Sequence, residues 1–149
     1  MEKSELHDIR AFNRYYTNII GLLDKGYIDT GYSLTEARIL FELSQASTTE
    51  TSDLIDTMVI DKGYLSRVLK KLEKDKLIIK TISSKDARAS QLSLTKKGVI
   101  ELDTLNKLTN LQLEKLLKDL SSAEVQQLVL HMKSITEILK RNQQQPTDE

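Results

Sequence analysis

The chain has 149 residues, of which 39% are hydrophobic and 30% charged, with one proline, five glycines and no cysteine. That composition is too apolar for disorder, too poor in turn residues for an all-β fold, and rules out disulfides and zinc–thiolate sites. The 22 basic and 22 acidic residues cancel, but not locally: residues 62–97 hold eleven basic against three acidic side chains, net +8, and the rest of the chain is −8.

A first helix is expected over about residues 4–23, where Leu6, Ile9, Asn13, Tyr16, Ile20 and Leu23 recur at three- and four-residue steps. "DKGYIDTGYS" follows, with Gly26 and Gly31 as breakers. Ser33 and Glu36 have the spacing of a capping box, which starts a second helix at Leu34 with Leu34, Ala37, Leu40, Phe41 and Leu43 turned inward. A short third helix, about 50–57, is expected to start from Thr48 or Thr49 and to anchor through Leu54, Ile55 and Met58. After the turn "MVI", Asp61 caps a fourth helix whose inner face is Leu65, Val68, Leu69 and Leu72.

The period then changes. "LIIKTI" and "ASQLSL", separated by "SSKDAR", read as a two-stranded hairpin with a charged tip. Thr95 caps a long leucine-rich helix to about Asp119, and a second capping box, Ser121 with Glu124, opens a last helix with Val125, Leu128, Met132, Ile135 and Leu139 on one seam. The expected fold class is therefore mainly α with a minor β part: a winged helix-turn-helix with long N- and C-terminal dimerisation helices. Residues 1–31 and 99–142 form the helical dimerisation region, 32–98 the DNA-binding domain and 143–149 a flexible tail. The terminal seams carry more apolar face than so small a domain covers, which predicts a homodimer.

A basic block in an acidic frame suits a nucleic-acid reader, although charge alone equally fits a solvated helix. On the fourth helix the inward residues leave Lys62, Gly63, Ser66, Arg67 and Lys70 on the opposite face, flanked by Tyr64 and Lys71. Small residues near the N-terminus let a helix approach the major groove, and Arg67 has the fork that pairs with guanine O6 and N7. Tyr64 suits a thymine methyl or a phosphate; Lys70 and Lys71 suit phosphates. Local capping for Ser66, and a surface ion pair of Arg67 with Glu73 or Asp75, are the plainer alternatives. At the hairpin tip Arg88 is the natural minor-groove probe, with Asp86 two residues earlier either to hold it or to pair with a basic residue of the fourth helix, and Lys85 for a phosphate; a polar turn with incidental charge is the plainer alternative.

"LTEARILFEL", "DKGYLSRVLKKLEKDKLI", "DAR" and "LSLTKKG" stand in the order and spacing of MarR-type transcriptional regulators, which the chain resembles from about Tyr32 to Gly98. The resemblance implies a homodimeric winged-helix protein on a pseudo-palindromic operator, usually a repressor and often released by a small ligand, with Arg88 in the minor groove oriented by Asp86. Three positions depart from the family pattern. Ala87 replaces a usual wing arginine, Lys76 stands where a glycine commonly ends the recognition helix, and Ile55 stands where alanine is frequent. The N-terminal stretch 8–40 looks most like the regulator-like domain of acetyltransferase fusions. With the chain ending at Glu149, no room is left for a catalytic domain of ~150 residues, and no acetyltransferase activity is expected.

No nucleophile, phosphate-cradling loop or metal-binding helix motif marks an enzyme, and no cofactor is expected. His7 and His131, far apart in sequence, read as surface or interface residues rather than metal ligands. On the first helix Arg10, Asn13, Arg14, Tyr15 and Tyr16 combine cation, amide and aromatic groups suited to a small anionic aromatic effector, or else belong to the dimer seam. "MEKSELHDIR" lacks the apolar core of a signal peptide and no apolar run nears the ~18 residues of a membrane span, so no membrane partner and a cytoplasmic location are expected. The expected partner is double-stranded DNA. The competing readings are a winged-helix protein-interaction module and a nucleoid-type binder without sequence preference.

Overall fold

The computed structural model describes the backbone of residues 1–25, 30–82 and 90–143. The elements run α1 (Lys3–Lys25), α2 (Leu34–Ser44), β1 (Thr49–Glu50), α3 (Thr51–Met58), α4 (Lys62–Lys74), β2 (Ile78–Ile82), β3 (Ser90–Leu94), α5 (Lys96–Leu117) and α6 (Ser122–Gln143). This is the winged helix-turn-helix order anticipated from the sequence. Contacts divide the chain into two compact units, Met1–Gln112 and Leu113–Glu149, with α5 crossing the division.

The starts of α2, α4, α5 and α6 follow from side chains that accept otherwise unpaired backbone N–H groups. Ser33 Oγ accepts from Glu36 N at 3.2 Å while Glu36 Oε2 accepts from Ser33 N at 2.7 Å, the reciprocal box expected for α2. Asp61 Oδ1 accepts from Tyr64 N at 2.8 Å to start α4. Thr95 Oγ1 accepts from Gly98 N at 2.9 Å and donates to the Lys76 carbonyl at 2.7 Å, which joins the start of α5 to the end of α4. In the second unit, Ser121 and Glu124 cap each other at the start of α6.

The start of α3 differs from expectation. Its N-cap is Glu50, without a side-chain hydrogen bond, rather than Thr48 or Thr49. Thr49 and Glu50 are instead strand β1, paired antiparallel with Leu92 and Gln91. The hairpin thus becomes a three-stranded sheet in the order β1-β3-β2. Thr51 Oγ1 donates to the Ser90 carbonyl at 3.3 Å, fixing the first residue of α3 to the same strand. Two residues are too few to print an alternation, so the pairing is visible only once β3 is in place.

Two non-glycine residues lie in the left-handed region: Val59 at φ 50°, closing α3, and Lys76 at φ 60° after α4. Lys76, standing in the sequence where the resembled family commonly has a glycine, holds this left-handed conformation at the cost of backbone strain. The turn is held by Lys76 N donating to Glu73 O and Leu77 N donating to Leu72 O, both at 2.9 Å, with the Leu77 side chain fully buried. Gly98 is required for another reason. A Cβ there would collide with the Leu77 carbonyl, so the α5 start packs against the α4–β2 turn only without a side chain.

The core gathers Ala37, Ile39, Leu40 and Leu43 of α2, Leu54 and Met58 of α3, Leu65, Val68, Leu69 and Leu72 of α4, Leu77, Ile78, Leu92, and Leu102 and Leu105 of α5. Phe41, expected inward, is 47% exposed, and Ile39 takes the buried place. One residue turns the helix by about 100°, so with Leu40 and Leu43 central to the buried face, Phe41 is carried past its edge. Ile55 packs at the margin of this core.

Candidate nucleic-acid interface

The four buried residues of α4 fix the helix azimuth, and everything else about its outer face follows. Lys62, Gly63, Tyr64, Ser66, Arg67 and Lys70 are all exposed. Gly63, Arg67 and Lys70 stand opposite the core, and the same period adds Lys74, which the sequence reading passed over although 63, 67, 70 and 74 form one stripe. A Cβ at Gly63 would come within 3.2 Å of the capping carboxylate of Asp61, so the smallest residue serves the cap as well as any close approach from outside. The Arg67 guanidinium lies 5.7 Å from the Tyr64 ring centroid, a cation–π contact that orients the fork. Among the described residues, Arg67 has neither Glu73 nor Asp75 as an ion-pair partner; the ion pairs there are Lys71–Glu36 and Lys107–Asp103.

Along one flank of α4, a cleft of about 560 Å³ separates Lys62, Ser66 and Lys70 from Thr51 and Ser52 at the start of α3 and from Lys80 of β2. Ile55 and Leu69 also line it, together with the carboxylates of Glu50 and Glu73. Lys80, Thr51 and Ser52 did not emerge from the sequence as site residues. Lys80 belonged to the basic block, but its place opposite Lys62 and Lys70 depends on the register that pairs it with Leu92.

The other flank turns elsewhere. Lys71, expected to meet a phosphate, has its Nζ 2.8 Å from Glu36 Oε1, donates to the Gly31 carbonyl at 3.0 Å, and lies 5.4 Å from the Tyr32 ring centroid. Its pKa is raised above the ordinary lysine value, first by the hydrogen bond to Glu36. Tyr32 is pushed up too, chiefly by burial and then by the nearby carboxylates Glu101 and Asp75. The structure therefore brings Lys62, Ser66 and Lys70 together around the cleft and sends Lys71 to α2.

Lys85, Asp86 and Arg88, with Ala87, lie outside the described residues. The candidate effector residues Arg10, Asn13, Arg14, Tyr15 and Tyr16 are exposed along α1. Tyr16 stacks on Phe12 with centroids 5.6 Å apart and planes 8° from parallel, while Tyr15 is 67% exposed. No described helix is long and apolar enough to cross a membrane.

Residues 32–90 match the model of the MarR family. The HTH-type transcriptional regulator SarZ of Staphylococcus aureus is 34% identical over 83 residues, covering 56% of this chain and 51% of that protein. The chain thus spans about half the length of the curated relatives it matches. Among solved structures, wild-type MarR of E. coli in its apo form superposes with a TM-score of 0.74 at 20% identity, covering 91% of this chain and 96% of that one. AbsC, a MarR family transcriptional regulator of Streptomyces coelicolor, gives 0.75 at 20% identity over 94% and 97%. A mutant MarR of E. coli complexed with operator DNA gives 0.71 at 20% identity over 85% and 91%. These likenesses establish the winged helix-turn-helix fold, and residues 32–90 within it match the MarR family model.

Proposed function

We propose that the chain is a homodimeric, sequence-specific DNA-binding transcription regulator that acts by binding rather than catalysis. The observation that carries this reading is the outer face of α4. Among the described residues, Lys62, Arg67, Lys70 and Lys74 stand exposed on one helix with no carboxylate in ion-pair range. Unneutralised cations on a helix with a small residue near its N-terminus suit the major groove: Arg67 reads base edges while Lys62 and Lys70 neutralise phosphates. Arg88, with Asp86 and Lys85, serves the flanking minor groove.

Residues 1–31 and 99–142 are assigned to dimerisation. Leu6, Ile9, Tyr16 and Ile20 of α1 and Met132, Ile135 and Leu139 of α6 are each 36–59% exposed in the single chain. Burying a side chain such as Leu is worth about 1.5–3 kcal/mol, so a second copy is the natural cover. Two reading heads then address half-sites about one helical turn apart on a pseudo-palindromic operator. Repression relieved by a small anionic aromatic compound near Arg10, Asn13, Arg14, Tyr15 and Tyr16 completes the proposal.

The test is selection of bound fragments from a genomic DNA pool, followed by anisotropy titrations of the recovered duplex at several salt concentrations. Arg88→Ala should weaken binding strongly. Lys70→Ala should reduce the slope of log K against log salt by about one unit, the signature of one lost phosphate contact. Equal affinity for the selected and a random duplex would defeat sequence recognition and leave a nucleoid-type binder.

A further inference from the structure

Among the described residues Glu36 is the buried charged side chain, 6% exposed at the edge of the core. A buried carboxylate persists only where its charge and lone pairs are met. Here each oxygen has a distinct partner. Oε2 accepts from Ser33 N at 2.7 Å and closes the α2 cap, while Oε1 meets Lys71 Nζ at 2.8 Å. The same ammonium donates to the Gly31 carbonyl at 3.0 Å and covers the Tyr32 ring. One lysine of α4 is thereby tied to the whole segment that leads into α2.

We propose that Lys71 and Glu36 are positioning residues for DNA reading: their ion pair sets the rotation of α4 about its own axis, and Lys71 does not itself contact the DNA. The inference rests on the DNA-binding reading given above. The inner face of α4 is held by Leu65, Val68, Leu69 and Leu72, and apolar contacts are non-directional. They keep the helix on the core but leave a small rotation soft. A charge-assisted bond at 2.8 Å to a carboxylate that is itself fixed by a helix cap is directional. That stiffness matters for Arg67, since bidentate pairing with a base edge tolerates little misplacement. The ion pair and the Gly31 carbonyl take two of the three Lys71 N–H donors and draw its ammonium toward α2, and a Lys71 that turned away to a phosphate would strand Glu36 without its counter-charge.

The test uses the full chain with Glu36→Gln, Lys71→Met and the double variant, titrated against the duplex recovered by fragment selection and against a random duplex, over a range of salt. Glu36 is too buried to touch DNA, and removing an acidic charge near a polyanion would ordinarily tighten binding. The expected result is the reverse. Both single variants should lose preference for the selected duplex by a similar factor, on the order of ten-fold for the loss of one well-placed bidentate contact. Random-duplex affinity and the salt slope should hold, and the double variant should be no worse than either single one. Glu36→Gln keeps the hydrogen bond to Ser33 N, so it remains informative if Lys71→Met melts near the assay temperature, and Lys71→Arg should restore preference. A fall of about one unit in the salt slope for Lys71→Met, or undiminished preference in Glu36→Gln, overturns the assignment. A wild-type chain without preference fails the DNA reading itself, and that arm separates the two failures.

Discussion

Helices α4 and α6 are both amphipathic, and both carry an apolar row at three- and four-residue steps. On α4 the row disappears: Leu65, Val68, Leu69 and Leu72 are each at most 6% exposed. On α6, Met132, Ile135 and Leu139 remain 41%, 40% and 59% exposed. A period reports which face of a helix avoids water, but not which surface covers it. The α4 row is covered by its own chain, which frees the opposite face for a ligand. The α6 row stays open in the single chain, and the proposed second copy would cover it.

The widest separation between the two regions should come from truncating one leucine in the covered row. Leu72→Ala should cost about 2–5 kcal/mol in urea unfolding, with no dependence on protein concentration, because the cavity forms inside one chain. Ile135→Asp, in the open row, should do little to α6 in a dilute monomer yet raise the dimer dissociation constant at least about ten-fold in sedimentation equilibrium, equivalent to ~1.4 kcal/mol. If Ile135→Asp instead unfolds the chain at every concentration, the contrast between covered and open rows is wrong.

The two left-handed non-glycine residues among those described both adjoin helices of the covered core, α3 and α4. Val59 is 87% exposed at φ 50°, so Val59→Gly gives up little packing. A left-handed L-residue costs roughly 1–2 kcal/mol, offset in part by the entropy of glycine, and a net gain of about 0.5–1 kcal/mol in unfolding free energy is expected. Lys76→Gly, at φ 60°, should behave alike. A loss of stability at both positions would mean that the strain is not where the backbone places it.

The smallest effect is the pH dependence, which should separate the regions at opposite ends of the scale. Lys71 has a raised pKa, owing first to its bond with Glu36, so its contribution is complete below the ordinary lysine value and is lost as pH climbs through the raised one. Glu124 has a lowered pKa, owing first to the Ser121 hydroxyl and then to the Ser121 backbone N–H. Its contribution to the α6 cap is present above the ordinary glutamate value and fades as pH falls through the lowered one. Urea unfolding followed by circular dichroism across the alkaline range, and helical circular dichroism across the acid range, should each be altered by the matching variant, Lys71→Met or Ser121→Ala.

Much of the architecture is legible along the chain, because it rests on local interactions. The capping boxes at Ser33 and Ser121, the caps at Asp61 and Thr95, and the inner row of α4 each depend on residues within a few positions of one another. The local rules fail where partners are distant. β1 exists only through β3, where Thr49 pairs with Leu92 and Glu50 with Gln91, and the Thr51–Ser90 hydrogen bond across a separation of 39 ties the start of α3 to the same strand. Phe41 is misplaced by its pattern because two adjacent apolar residues leave the azimuth of α2 ambiguous until the rest of the core fills it.

The site divides in the same way. From its own residues, the sequence determined that α4 presents Lys62, Gly63, Ser66, Arg67 and Lys70 away from an apolar row, since a fixed 3.6-residue period converts order directly into direction. Only the tertiary structure decided what each flank of that helix meets. Lys70 and Lys71 are adjacent, identical and equally basic on paper, yet one lines an open cleft and the other is bound to a buried carboxylate 35 positions earlier. The helical period sets Lys71 about 100° round from Lys70, on the flank, but what that flank meets is decided by Glu36, whose position relative to α4 is set by the packing of α2 against the shared core.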